Sequence, residues 1–330
     1  MQVKLVGTAG FCWGVKRALR LLEGAAGGGK RVVTYGPVIH NTALEQRLAA
    51  SGLRPIARPD EADEATTVAI GPHGILAGDH ASLEGRGASV LDLTCPHVTD
   101  TRKAIYDLAE KGVNLVIAGN RDHGEVAVLK ESAKTKVWVV TSSEEASTVA
   151  AEAPLALVAQ STFGPALFED IEETLRGRFP KLEVVRTLCG ATEDRQDDAR
   201  RLAEEADVLI VVGPYHSGNA RRLAEMSRDF GKQTFHVEVP EDLQVGAVVE
   251  QARLARRQLL LQKYADDPDR LREATADPAI VDREVIIGIT AGASTPEWVT
   301  RAVVDHIVGA TKADLVEGLP KDLAAASSGA

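Results

Sequence analysis

Three cysteines, Cys12, Cys95 and Cys189, stand 83 and 94 residues apart in a chain of 330 residues. An odd count with no C-x-x-C spacing speaks against a disulfide framework and against a paired zinc knuckle. Each cysteine follows an apolar run and precedes an amphipathic stretch, so each falls at a strand-to-helix junction. A helix N-terminus carries partial positive charge and unpaired N–H groups, which favour the thiolate that ligates metal. Three such thiolates can hold an iron–sulfur cluster. A cubane 4Fe–4S cluster with three protein ligands keeps one iron open for substrate, by the logic that separates catalytic from structural metal sites. Cysteine position alone leaves buried structural cysteines as an equal reading, and a Cys3His zinc site as a third.

Other chemistry-bearing residues gather at the same kind of junction. His40 lies in Gly36-Pro37-Val38-Ile39-His40-Asn41, and His73 in Gly71-Pro72-His73-Gly74. His123 and Glu125 follow the run Leu115–Ala118, Ser217 and Asn219 follow Val208–Val212, and Ser294 precedes a helix in Ala293-Ser294-Thr295-Pro296. Gly-rich turns with hydroxyl and amide side chains at a helix start suit phosphate. Each residue taken singly also reads as a cap or a turn residue. Glu125 is the best candidate proton donor, because a carboxyl group in a closed pocket holds its proton near neutral pH.

The elements that must position these residues follow a strand–helix rhythm. Apolar runs predict strands over Val3–Val6, Arg31–Thr34, Thr67–Ile70, Ser89–Leu93, Leu115–Ala118, Val137–Val140, Leu155–Ala159, Leu182–Val185, Val208–Val212, Gln233–His236 and Val285–Ile289. Amphipathic periodicity predicts helices over Val15–Glu23, Thr42–Ala50, Val98–Lys111, Ala166–Arg178, Arg195–Ala206, Ala220–Phe230 and Pro296–Val308. The alternation predicts an α/β fold with parallel sheets that bind ligands beyond the carboxyl ends of their strands. The cysteine spacing suggests three related units, each offering one cysteine. Residues 248–283 break the rhythm and read as one or two inserted surface helices, and the tail Ser327-Ser328-Gly329-Ala330 reads as loose.

Composition bounds the partners. The charged fraction of 26% and hydrophobic fraction of 44% are those of a soluble globular protein. A net charge of −10 argues against a general nucleic-acid surface. No apolar run approaches the roughly 20 residues that span a bilayer, and the N-terminus lacks a signal-peptide pattern, so a cytoplasmic protein is expected. No flavin or nicotinamide site is evident, so electrons are expected from a separate ferredoxin- or flavodoxin-like protein.

Taken in order, the motifs resemble the 4-hydroxy-3-methylbut-2-enyl diphosphate reductase family of the non-mevalonate isoprenoid pathway. They are Gly10-Phe11-Cys12-Trp13-Gly14-Val15, Gly36-Pro37-Val38-Ile39-His40-Asn41, His73-Gly74, Thr94-Cys95-Pro96, Cys189-Gly190-Ala191-Thr192 with Arg195-Gln196, and Thr290-Ala291-Gly292-Ala293-Ser294-Thr295-Pro296. The resemblance implies three small α/β units in a pseudo-threefold around a central 4Fe–4S cluster held by Cys12, Cys95 and Cys189. It implies units over 13–93, 94–187 and 188–311 plus 1–12, with the helical insertion at 248–283 and a C-terminal tail at 312–330. The implied reaction removes a hydroxyl from an allylic diphosphate with two electrons and two protons, giving isopentenyl and dimethylallyl diphosphates. His40, His73, His123, Ser161, Thr162, Ser217, Asn219 and Ser294 would bind substrate, and Glu125, His123 and Ser161 would serve the chemistry. The chain departs from the family at His123-Gly124-Glu125 for His-Pro-Glu, at Gln160-Ser161-Thr162 for Gln-Thr-Thr, and at Ser217-Gly218-Asn219 for Ser-Ser-Asn. Those departures and the insertion keep two alternatives open: a cluster reductase with a different substrate, and a non-catalytic iron–sulfur redox sensor.

Overall fold

The computed structural model describes residues 1–27, 31–152, 154–276 and 278–316. These residues form two compact bodies, one from Trp13 to Glu193 and one combining Met1–Cys12 with the residues from Asp194 onward. Three parallel sheets carry the fold.

The first sheet contains β2 (Arg31–Tyr35), β3 (Arg54–Ile56), β4 (Thr66–Ile70) and β5 (Ser89–Asp92) in the order β3-β2-β4-β5. Helices α1 (Trp13–Ala26), α2 (Thr42–Ala50) and α3 (Ala77–Gly85) belong to this stretch. The second sheet contains β6 (Asn114–Ala118), β7 (Val137–Val140), β8 (Leu155–Ala159) and β9 (Glu183–Val184) in the order β7-β6-β8-β9. Its helices are α4 (Pro96–Glu110), α5 (Gly124–Ser132), α6 (Ser143–Ser147) and α7 (Pro165–Arg178). Both sheets lie in the Trp13–Glu193 body. The third sheet contains β1 (Gln2–Leu5), β10 (Val208–Val212), β11 (Gln233–Val237), β12 (Ile286–Ala291) and β13 (Asp314–Val316) in the order β11-β10-β12-β1-β13. The remaining helices are α8 (Gly190–Glu205), α9 (Gly218–Asp229), α10 (Val245–Lys263), α11 (Pro268–Thr275), α12 (Pro278–Glu284) and α13 (Glu297–Thr311).

Central strands β8 and β10 are buried along their whole length, as their unbroken apolar sequences Leu-Ala-Leu-Val-Ala and Val-Leu-Ile-Val-Val require for strands covered on both faces. The three strand orders share one plan. In each sheet the chain lays down a strand, adds the next on one side, then returns to pair on the other side. The order therefore reverses between β2 and β4, between β6 and β8, and between β10 and β12. Such reversal points open a crevice at the strand ends where open α/β sheets bind ligands. The strand beside the second member of each pair is β5, β9 or β1, and each of these leads to a cysteine. The repetition expected from cysteine spacing is therefore one of structure, with β1 filling the place in the third sheet that β5 and β9 fill in the others.

Three expectations need correction. The insertion forms three helices rather than one or two, because Pro268 and Pro278 each open a new helix. Its first helix is not a simple surface helix. Val248, Ala252 and Leu260 lie on one face at four-residue multiples and are buried, and Arg256 in the same row reaches the buried Asp207 at 3.0 Å. The segment from residue 312 is not all tail, since β13 pairs in parallel with β1. The last four residues, read as loose, lie outside the described residues. Strands β3 and β13 were not predicted.

Candidate active site

Each cysteine is the last residue before a helix: Cys12 before α1, Cys95 before α4 and Cys189 before α8. All three are partly buried thiols. Their backbones are fixed in the same way. The Cys12 N–H donates to Ala293 O at 3.0 Å, the Cys95 N–H to Pro72 O at 2.9 Å, and the Cys189 N–H to Ser161 O at 2.8 Å. Each acceptor sits in the loop after the neighbouring strand and is, or directly precedes, a residue singled out from the sequence: Ser294, His73 and Ser161. Every cysteine junction is thus locked to a loop bearing a candidate ligand-binding side chain.

Two further bonds hold the cysteine loops. Arg17 on α1 donates to Thr94 O at 3.3 Å, one residue before Cys95. Buried Arg195 donates to Gly10 O at 2.8 Å, two residues before Cys12. Gly10 has φ +107°, and a Cβ there would lie 2.9 Å from Glu297 Cγ, so both conformation and space call for glycine.

In the Trp13–Glu193 body, the ends of β4, β6 and β8 bring His73, His123, Glu125 and Ser161 together. Glu125 is fully buried. Its Oε1 accepts from the Ser161 N–H at 2.7 Å and its Oε2 accepts from Ser161 Oγ at 2.8 Å. His73 Nδ1 lies 3.9 Å from Oε2, and the His73 and His123 rings meet edge to face at 4.9 Å between centroids. Burial raises the Glu125 pKa. The two bonds from Ser161 oppose that rise, as do the nearby His123 and His97 rings, and burial wins. Enclosure, helped by the neighbouring His40, pushes the His73 pKa down from 6.5 to about 4, so its ring is neutral at neutral pH.

His123 is also the N-cap of α5, its Nδ1 accepting from the Glu125 N–H at 3.2 Å. An Nδ1 that accepts is unprotonated, so in the neutral ring Nε2 carries the hydrogen. The capping role thus fixes which ring nitrogen of His123 carries the hydrogen in the neutral ring. His40 is exposed after β2. Thr162 is engaged locally, its Oγ1 accepting from Gln160 Nε2 at 2.9 Å.

In the other body, the ends of β10 and β12 bring Ser217 and Ser294 within 3.2 Å, oxygen to oxygen. Ser217 caps α9, and Asn219 in its first turn is buried with neither side-chain Oδ1 nor Nδ2 paired. A buried amide without partners costs about 1–3 kcal/mol for each unmet group, so both Asn219 groups have hydrogen-bonding capacity to spare. The glycine departures leave both helix starts intact. A Cβ built at Gly124 or at Gly218 would meet nothing within 4 Å. The replacement of Thr by Ser at Ser161 retains the hydroxyl that bonds Glu125.

Sequence reasoning missed His97 and Thr187. His97 Nε2 bonds Thr187 O at 2.8 Å. Thr187 is itself pinned to the end of β8, accepting from the Ala159 N–H at 2.7 Å and donating to Ala159 O at 2.8 Å. The signal available was a histidine two residues after a cysteine, in the first turn of a helix.

The LytB protein family profile matches residues 3–308. The chain belongs to the LytB family. The LytB relative from Geotalea daltonii, named 4-hydroxy-3-methylbut-2-enyl diphosphate reductase, is 31% identical over 312 residues, covering 94% of this chain and 99% of that protein. A relative of the same name from Anaeromyxobacter sp. (strain Fw109-5) is 33% identical over 310 residues, covering 94% and 98%. Among solved structures, one of (E)-4-hydroxy-3-methyl-but-2-enyl diphosphate reductase, described as the terminal enzyme of the non-mevalonate pathway, superposes with a TM-score of 0.64 at 30% identity over 93% of this chain and 99% of that one. The Plasmodium falciparum E-1-hydroxy-2-methyl-but-2-enyl-4-diphosphate reductase shares the fold, with a TM-score of 0.78 at 21% identity over 97% and 94%. The LytB relatives are thus named as reductases. Among the described residues, no helix is long and apolar enough to cross a membrane.

Proposed function

We propose that this chain reduces 4-hydroxy-3-methylbut-2-enyl diphosphate to isopentenyl and dimethylallyl diphosphates, with Cys12, Cys95 and Cys189 as ligands of a 4Fe–4S cluster. One observation carries the reading. A cysteine, a hydroxyl and a buried carboxyl are joined in sequence, the Cys189 N–H bonding Ser161 O and Ser161 N–H and Oγ bonding Glu125. Two histidines adjoin that carboxyl.

The donor set suits the cluster. Three partly buried thiols at helix starts match the thiolate ligation that iron–sulfur clusters require. When bound, the cluster would deliver two electrons and offer one iron without a thiolate to the substrate hydroxyl. The chain's own groups would do the rest. His73 and His123 would direct ring N–H groups at the diphosphate, and Ser217, Ser294 and the Asn219 amide would supply further donors. In the reaction the allylic C–O bond breaks, one proton leaves with the hydroxyl as water, and a second proton joins carbon. Glu125 is the proton source. When it is protonated the 2.8 Å bond can run from Oε2 to Ser161 Oγ, turning the serine hydroxyl hydrogen toward the ligand. An external ferredoxin- or flavodoxin-like protein would supply the electrons, in a cytoplasmic setting.

The test is anaerobic purification or reconstitution, followed by turnover of the allylic diphosphate with a chemical reductant. Iron-dependent formation of the two isomeric products is expected. An iron-free, colourless protein after anaerobic reconstitution overturns the cluster, and an iron-loaded protein inert toward this diphosphate overturns the substrate.

A further inference from the structure

The three cysteine junctions share their backbone clamp, and the Cys95 junction carries a further tie from its own first helical turn. The residues two places after the cysteines are Gly14, His97 and Ala191, and of these only His97 has a side chain able to bridge. Its ring crosses from the first turn of α4 to Thr187 O, two residues before Cys189. A carbonyl oxygen only accepts, so His97 Nε2 is the donor and its tautomer is set by that bond.

Both ends of this bridge are firmly held. Pro96 opens α4 behind Cys95, and Thr101 Oγ1 donates to His97 O at 2.9 Å. Thr187 is 5% exposed and its hydroxyl makes both bonds of a strand pair with Ala159, extending the β8 side of the sheet past the end of β9. The next residue, Leu188, is buried, and Cys189 then donates to Ser161 O.

We infer that His97 is a positioning residue that couples the Cys95 and Cys189 junctions, holding the two thiols in register before any cluster is bound. The inference rests on the reading of Cys95 and Cys189 as ligands. Ligand residues are commonly oriented by outer hydrogen bonds of this kind, and here the bond joins the two ligand-bearing loops directly.

The test compares the full-length protein with His97→Leu and His97→Gln. Glutamine retains an N–H donor near the position of Nε2. In iron-free protein, hydrogen–deuterium exchange of the peptide spanning Leu188–Gly190 is expected to rise roughly five- to tenfold in His97→Leu, the factor that one lost hydrogen bond commonly gives. In reconstituted protein, loss of iron to a chelator is expected to speed up by a similar factor. His97→Gln should restore both toward the parent values. If His97→Leu does not fold, His97→Asn, whose amide is too short to reach Thr187 O, takes its place. Unchanged exchange overturns the coupling. Raised exchange with unchanged iron release overturns its role in holding the ligands. A parent protein that binds no iron overturns the cluster reading instead, while exchange in the iron-free chain still decides whether His97 ties the two loops.

Discussion

Glu125 is the residue on which the proposed chemistry turns, and its surroundings set its response to substitution. Glu125→Gln keeps the shape and can still accept from Ser161, but supplies no proton. Turnover should fall by about 10²–10⁴-fold, the usual weight of a general acid, with iron content unchanged. Ser161→Ala removes one of the two donors to the carboxyl and should lower turnover less. Steady-state rates beside iron analysis separate these outcomes. His73 and Glu125 also shape stability against pH in opposite directions. The folded His73 pKa of about 4 lies below its ordinary 6.5, so its stabilisation is present above pH 6.5 and is lost as pH falls toward 4. The folded Glu125 pKa is raised above 4.5, so its stabilisation is present below pH 4.5 and is lost as pH rises through the raised value. Between pH 4 and 6.5, His73→Asn should therefore make the slope of unfolding free energy with pH more negative, and Glu125→Gln more positive. For His73 the change is at most about 1.4 kcal/mol per pH unit, reduced by solvent screening at a side chain 36% exposed. Urea titrations across that range measure both slopes. The cysteines and the histidines at Gly-rich turns were legible as a set because turn chemistry alone does not require them. The bond from His97 to Thr187 was not, because it joins residues 90 apart and no local pattern encodes that approach.

Among the elements, the inserted helices show most clearly what a sequence conceals. Val248, Ala252 and Leu260 keep a four-residue spacing, which is a buried-face signal. Arg253, Arg256 and Arg257 mask it, and the segment reads as solvated. Arg256 in fact enters the buried row to reach Asp207, whose Oδ2 also accepts from the Ile286 N–H at 2.8 Å at the start of β12. Burial raises the Asp207 pKa despite these partners, so the carboxylate depends on them. Arg256→Ala should then cost about 3–5 kcal/mol, the penalty for leaving a buried charge unpaired. Asp207→Asn, which removes the charge itself, should cost less. Chemical denaturation of both variants decides this, and equal costs would mean that the pair holds no buried charge. Strand β3 was illegible because Arg54-Pro55-Ile56 buries only Ile56, and β13 because three residues are too short to show alternation.

Over the whole molecule, most strands were readable because parallel strands covered on both faces must be continuous apolar runs. Strand order was not readable, since pairing is decided between segments far apart in sequence. That order nevertheless explains why the candidate residues lie where they do. His40 and His73 flank the reversal in the first sheet, Glu125 and Ser161 that in the second, and Ser217 and Ser294 that in the third. If the three cysteines serve the cluster and not the fold, Cys12→Ser, Cys95→Ser and Cys189→Ser should each abolish retained iron while leaving the iron-free protein within about 1 kcal/mol of its parent in unfolding experiments. A large loss of stability in iron-free protein would assign the cysteines to the core instead.

Strand β1 lies between β12 and β13, so both of its hydrogen-bonding neighbours are made long after it. Cys12, ahead of Cys95 and Cys189 in the chain, thus gains a settled place after them. The Trp13–Glu193 body, with the other two, can form during synthesis, while the opening residues wait for a partner encoded some 280 positions downstream. Iron delivery to the proposed cluster would therefore wait until β12 is made, and a nascent chain stalled before β12 would present two cysteines in place and a third adrift.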